Sequence, residues 1–276
     1  MALSACLELS GPGFQIALER GLIMLLEIQG LTKLFGGLTA VSGFTMNVKE
    51  GEILGLIGPN GAGKSTLFNL ITGVFRPTSG SIFFQGKDIT GKRPHEVAEL
   101  GIGRSFQLNP LFSDFSVLEN VSASFHLHPR SNLLDIYFNT RTYRSNEAFI
   151  QERSLEILRL VGLDGVKDEL AKHLPHGHQK MLGVARALAV QPKLLLLDEP
   201  IAGMTTEEIE FTLSAILKTR EQGVTIVLVE HNMRIMELCD RVSVISFGRK
   251  IAEGIPSEVR NDKDVIEAYF GGEHVA

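Results

Sequence analysis

Apolar and polar positions change rhythm several times along the 276-residue chain, and each change predicts an element. After Met24, Leu25-Leu26-Glu27-Ile28 reads as a first strand. Phe44, Met46 and Val48 alternate with Thr45, Asn47 and Lys49, the period of two that marks a half-buried strand. Gly36-Gly37 and Gly51 punctuate this stretch, and Ser81 to Phe84 before Gly86 predicts another strand. Ile53 to Ile57, Leu194 to Leu197 and Val224 to Val229 differ, being nearly continuous aliphatic runs of the kind buried on both faces of a sheet. Helical stripes lie between them. Leu67, Phe68, Leu70 and Ile71 stop at Gly73, and Val117, Leu118, Val121 and Phe125 mark a second helix. Ile150, Ile157, Leu158 and Val161 end at Gly162, and Met181, Leu182, Ala185, Leu188 and Ala189 stop before Pro192. Thr205 and Glu208 form a capping box ahead of Ile209, Leu213, Ile216 and Leu217. Val242 to Ser246, Gly248 and Ile251-Ala252 predict a hairpin, and the tail through Tyr269-Phe270 a short amphipathic helix. The pattern predicts an α/β fold, with a parallel core, a separate antiparallel layer and a helical stretch from Pro110 to His173.

Two of the buried runs end in chemistry. Gly58-Pro59-Asn60-Gly61-Ala62-Gly63-Lys64-Ser65-Thr66 stands between a predicted strand and a predicted helix, the context in which G-x-x-x-x-G-K-[ST] cradles phosphate. Glycines let backbone N–H groups turn inward, and the new helix aims its positive end at the phosphates. Lys64 supplies a cation for β- and γ-phosphates, and the Ser65 hydroxyl suits a Mg²⁺ ligand. Leu194–Leu197 runs into Asp198-Glu199-Pro200, two carboxylates at the carboxyl end of a buried strand, where ligands of open α/β sheets bind. Asp198 suits Mg²⁺ coordination and Glu199 the polarising of an attacking water.

Other positions read two ways from the residues alone. Phe35, at the end of the first strand, is an adenine-stacking aromatic or an ordinary core residue. Gln107 reaches a metal-bound water or is plain loop polarity. His231 directly follows the Val224–Val229 strand and either contacts the γ-phosphate or is a satisfied histidine at a helix start. Leu174-Pro175-His176-Gly177-His178-Gln179-Lys180 leads into a helix and makes a second candidate anion site. The spacing of His173, His176 and His178 matches no usual zinc pattern, and no cysteine lies nearby. Arg130, Arg141 and Arg144 alternate with Tyr137, Phe138 and Tyr143, a surface for a partner, a lipid headgroup or solvent.

Composition narrows the picture. A formal net charge of −5 argues against a general nucleic-acid binder. Only Cys6 and Cys239 occur, so there is no disulfide framework and a reducing compartment is expected. The mean hydropathy of +0.12 is slightly high for a soluble chain, as a large core or an apolar partner patch would make it. No run approaches the roughly 20 apolar residues that span a membrane.

These signals fall in an order that resembles the ATP-binding cassette (ABC) ATPases along nearly the whole chain. Gly58–Thr66 matches Walker A and Leu194–Glu199 Walker B; Gln107 sits at the Q-loop glutamine and His231 at the switch histidine. Phe35 then takes the place of the adenine-stacking aromatic, and Leu174–His178 that of the signature motif. The resemblance implies a P-loop core with an antiparallel layer and a helical subdomain inserted at about 110–185, the domain covering 26–276 after an extension at 1–25. It implies ATP and Mg²⁺ as ligands, the metal held through Ser65, Gln107 and Asp198. It further implies head-to-tail pairing with a second ATPase subunit, identical or different, each ATP lying between one subunit's Walker A and the other's signature. Glu199 becomes the catalytic base, His231 the holder of γ-phosphate and water, and Lys64 and Gln107 complete the catalytic group.

Leu34–Leu38, Gly103–Gln107, Glu230–Met233 and Val265–Gly272 resemble the importer ATPases for branched-chain amino acids; urea and short-chain amide importers are similar, and Ala202–Thr205 also suits them. That implies transmembrane permease subunits, an extracytoplasmic solute-binding protein, and a peripheral place on the cytoplasmic side of the inner membrane. Two departures stand out: Pro175 removes the signature hydroxyl, and Ala202-Gly203-Met204-Thr205 lacks the usual Asp. They fit a weaker composite site in an unequal pair. A soluble ABC ATPase acting on DNA, ribosomes or clusters, and a cassette that binds ATP without turnover, are the competing classes.

Overall fold

A computed structural model describes residues 24–105, 110–125, 135, 137–230 and 233–270. The chain opens on the hairpin β1 (Met24–Phe35) and β2 (Leu38–Lys49), then crosses into β3 (Ile53–Ile57), the glycine loop and α1 (Lys64–Ile71). β4 (Ser79–Phe84) and β5 (Lys87–Asp88) rejoin the hairpin, and α2 (Pro94–Glu99) leads to β6 (Ile102–Arg104). After it come α3 (Val117–Ser124), α4 (Arg141–Leu160) and α5 (His176–Ala189). Next are β7 (Leu194–Asp198), α6 (Thr206–Glu221), β8 (Thr225–Val229) and the short α7 (Met233–Met236). The hairpin β9 (Arg241–Ser246) and β10 (Arg249–Gly254) precedes α8 (Pro256–Arg260) and α9 (Lys263–Phe270).

Two sheets result, as the two rhythms in the sequence predict. The alternating strands make a four-stranded antiparallel sheet ordered β2-β1-β4-β5. The aliphatic runs make the centre of a six-stranded sheet ordered β10-β9-β3-β8-β7-β6, parallel throughout except for β10. β1 begins at Met24 with Leu25 and Leu26 buried, where the sequence reads a first strand. The helix through Met181 ends at Ala189, before Pro192, as its apolar stripe predicts.

Successive residues of the central strands serve opposite cores. Leu54, Leu56, Leu194, Leu196, Val227 and Val229 pack with α1 against the antiparallel sheet. Ile53, Ile57, Leu195, Leu197, Ile226 and Leu228 pack against the helices on the other side. Each fully buried aliphatic is worth about 1.5–3 kcal/mol over its exposed state, so both faces hold the sheet strongly. That symmetry has a cost. A one-residue slip of β7 would keep both of its faces apolar, so hydrophobicity alone does not set its register. The polar groups at its end do, and they build the site.

Candidate active site

The carboxyl ends of β3, β7 and β8 lie side by side at one edge of the parallel sheet. The glycine loop leaves β3 there. Gly61 and Gly63 both take left-handed φ values, +78° and +107°, which a side chain would resist, and Gly63 caps the start of α1. Ala62 N–H donates to Pro59 O at 3.2 Å, and Ala62 O accepts from Gly248 N–H at 2.8 Å, stapling the loop to the β9–β10 turn. Lys64, 6% exposed, donates through Nζ to Gly58 O at 2.6 Å and Pro59 O at 2.9 Å. Burial lowers its pKa, and the charges of Glu199 and Asp198 act in the opposite direction.

In front of the loop lies an open cleft of about 480 Å³. Asn60 to Thr66 line it, with Phe35, Leu38, Glu199 and Phe247 around them. Phe35 is exposed at the rim, edge-to-face with Phe75 at 5.2 Å, and Lys33 Nζ sits 5.0 Å from its ring centre. Glu199 follows β7 with φ +49°, a left-handed backbone on a residue with a side chain, and its N–H donates to Val229 O at 3.0 Å.

Asp198, 3% exposed at its side chain, accepts from Arg104 Nη2 at 3.0 Å. Arg104 Nη1 donates to Asn69 Oδ1 at 2.7 Å and Thr72 Oγ1 at 3.3 Å, both on or just after α1. One guanidinium thus ties β6, β7 and the helix beyond the glycine loop. Burial pushes the Asp198 carboxyl up, and Arg104 pulls it back down. Arg104 is not among the site residues that the sequence pattern picks out. Its one signal is an arginine inside the short apolar strand Ile102–Arg104.

Leu174 to His178 do not line this cleft. Pro175 caps α5, Leu174 and Gly177 are buried, and His176 is exposed. A Cβ built on Gly177 would fall on the Glu208 carboxylate, which itself accepts from Thr205 N–H at 2.8 Å in the capping box of α6. Signature segment and post-β7 loop are therefore packed together. Gln107 and His231 lie outside the described residues.

The residues present fit a magnesium–triphosphate. A glycine loop opening a helix, a buried ammonium within electrostatic reach of Asp198 and Glu199, and the Ser65 hydroxyl lie at one sheet end, and magnesium takes few protein ligands when phosphates supply the rest. Loop placement is steric as well as polar: a Cβ on Gly58 would fall on the Ile245 carbonyl oxygen of β9. Gly58→Ala is expected to cost about 1–3 kcal/mol by overpacking and to weaken nucleotide binding with it. Urea denaturation and a nucleotide titration check this; unchanged values in both would show that the loop has slack the geometry denies.

The ABC transporter family profile matches residues 41–202, and the profile of branched-chain amino acid ATP-binding cassette transporters matches 249–275. The high-affinity branched-chain amino acid transport ATP-binding protein BraF of Pseudomonas aeruginosa is 39% identical over 90% of this chain and 98% of its own. The ADP conformation of an ATP-binding cassette of an ABC transporter superposes with a TM-score of 0.77 at 33% identity, covering 90% of this chain and 99% of that one. A dimeric bacterial ABC transporter cassette gives 0.73 at 25% identity, covering 84% and 98%. Profile, relatives and fold agree with the cleft: this chain belongs to the ABC transporter family, as a nucleotide-binding ATPase cassette.

Proposed function

We propose that the chain is the ATP-hydrolysing subunit of an importer for branched-chain amino acids. The observation that carries the ATPase part is Lys64, buried in the glycine loop, lining one cleft with Glu199 and standing within electrostatic reach of both Glu199 and Asp198. The solute class rests on BraF and on the match of the carboxyl-terminal segment.

In this reading Gly58–Thr66 wraps the phosphates with backbone amides, and Lys64 neutralises the β- and γ-oxygens. Phe35 stacks on adenine beside Phe75 and Lys33, which hold its ring. Ser65, Asp198 and Gln107 would hold Mg²⁺. The ion, when bound, offsets charge that builds on the transferring phosphoryl group. Glu199 takes the proton of the attacking water, with its carboxylate held at the cleft by the turn after β7, and His231 orients that water. Leu174–His178 does not line its own cleft, and in this reading it serves the ATP of a second cassette packed head-to-tail. Pro175 offers that ATP no hydroxyl, and the site it completes is the weaker of an unequal pair.

Residues 26–276 form the cassette, with about 110–185 as its inserted helical subdomain, and Gln107 links the site to the permease. Among the described residues no helix is long and apolar enough to cross a membrane. The cassette sits peripherally on the cytoplasmic face, held by transmembrane permease subunits and fed by an extracytoplasmic solute-binding protein. No nucleic acid is involved. Reconstituted with those subunits in vesicles, it is expected to drive ATP-dependent uptake of labelled leucine, isoleucine and valine. Uptake of urea or acetamide in place of these amino acids would overturn the solute class. Co-sedimentation with ribosomes or DNA instead of permease would overturn transport.

A further inference from the structure

We propose that Lys180 is a positioning residue that fixes the backbone of Glu199 from the helix carrying Leu174–His178. The inference rests on the reading of Glu199 as the general base. Lys180 lies in the second turn of α5 and is 8% exposed, among the buried Met181, Leu182 and Val184. Its Nζ donates to Glu199 O at 3.0 Å and Ala202 O at 2.7 Å. A single ammonium therefore grips both ends of the turn that presents the Glu199 carboxylate to the cleft.

That turn needs a grip. Glu199 sits at φ +49°, a left-handed conformation that a residue with a side chain keeps only where its surroundings impose it. Contacts from neighbouring elements help impose it, beside the turn's own Ala202 N–H donating to Glu199 O at 3.4 Å. Glu199 N–H donates to Val229 O at 3.0 Å on β8, and Ile201 N–H donates to Glu230 Oε1 at 3.1 Å. Lys180 supplies the contact from α5. A neutral donor would not serve as well, since hydrogen bonds from a charged donor are roughly twice as strong. Burial lowers the pKa of Lys180, while the carboxylates of Glu230, Glu199 and Asp198 favour its charged form.

The consequence comes from where α5 begins. Its first residues, His176 to His178, serve the neighbouring ATP in the head-to-tail pair, whereas Glu199 serves the ATP of its own subunit. Lys180 joins the two over a single side chain. Displacing α5 displaces the carbonyl of Glu199, and a misplacement of about 1 Å at a reacting group costs about 10²-fold in rate. The link runs through a hydrogen-bonded backbone, so it predicts a specific non-additivity with Glu199.

In the full chain, K180M keeps the stem and removes every donor. Its kcat is expected to fall 30- to 100-fold, with KM and the affinity for a fluorescent ATP analogue within twofold of the parent. The double variant K180M/E199Q is expected to hydrolyse no more slowly than E199Q, since Lys180 acts only through Glu199. K180Q, which retains a shorter donor and is the fallback where K180M does not fold, is expected to lose activity by a smaller factor. Parental kcat in K180M or K180Q beside an inactive E199Q would sink the tether and leave Glu199 as the base. Parallel loss of affinity, melting temperature and kcat, multiplying with E199Q, would make Lys180 a packing residue and overturn the proposal. Parental turnover in E199Q itself would remove the base assignment, and the tether with it.

Discussion

Lys64→Ala is expected to weaken ATP binding by about 30-fold to several thousand-fold and to take hydrolysis to background. That range corresponds to the roughly 2–5 kcal/mol that truncating one partner of a buried charged pair usually costs, at about 1.4 kcal/mol per tenfold. Effects on the fold work in two directions. Gly58 O and Pro59 O lose their donor, which destabilises the loop. The desolvated ammonium also disappears, and burial was already working against its charge. The net change in unfolding free energy is therefore small beside the loss of binding. Lys64→Arg separates charge from shape: a planar fork does not fit the two carbonyls that receive the compact ammonium, so it is expected to behave much like alanine. Isothermal titration with ATP, alongside a urea melt, reads both quantities. Affinity within threefold of the parent in the alanine variant would remove the phosphate cradle from this loop.

Much of this site is legible in the sequence because its strands are buried on both faces. Ile53–Ile57 and Leu194–Leu197 read as aliphatic runs whatever they pack against, and the residues directly after each run land at the carboxyl edge of the sheet. The capping box at Thr205 and Glu208 is legible for a local reason, its partners being three residues apart. Pairings set by topology are not. Arg104 meets Asp198 only because β6 lies beside β7, with 94 positions of chain between the two residues. Lys180 meets the Glu199 carbonyl across 19 positions, and an apolar helical stripe with one lysine in it gives no hint of the contact. The left-handed turn at Glu199 is equally silent, since glycine is the residue that normally advertises such a backbone. Phe247, at the tip of the last hairpin, joins the rim of the cleft through long-range pairing of β9 with β3.

Arg104→Met is expected to destabilise the folded chain by about 3–5 kcal/mol, because it leaves Asp198 buried without its partner. Methionine preserves most of the stem that packs over Phe68, 5.4 Å from the guanidinium carbon, so the loss belongs to charge more than to volume. The pH dependence identifies the cause. Burial already raises the pKa of Asp198, and Arg104 is the first group opposing that rise. Without it the folded pKa climbs further above the unfolded one. A carboxyl of this kind binds its proton more tightly when folded, so stability is greatest below the unfolded pKa. It is lost as pH rises through the folded one. The deficit of the variant is therefore expected to be largest at neutral pH and to shrink on acidification. D198N in the same background, neutral at every pH, is expected to return much of the stability and abolish that dependence. If Asp198 is the magnesium ligand proposed above, catalysis is expected to move the opposite way: its protonated form is a poor ligand, so the acid limb of ATP hydrolysis in Arg104→Met shifts to higher pH. A loss below about 1 kcal/mol that stays flat between about pH 5 and 8 would mean that Asp198 is solvated by something other than Arg104, and that the guanidinium bridge between β6, β7 and α1 carries no weight.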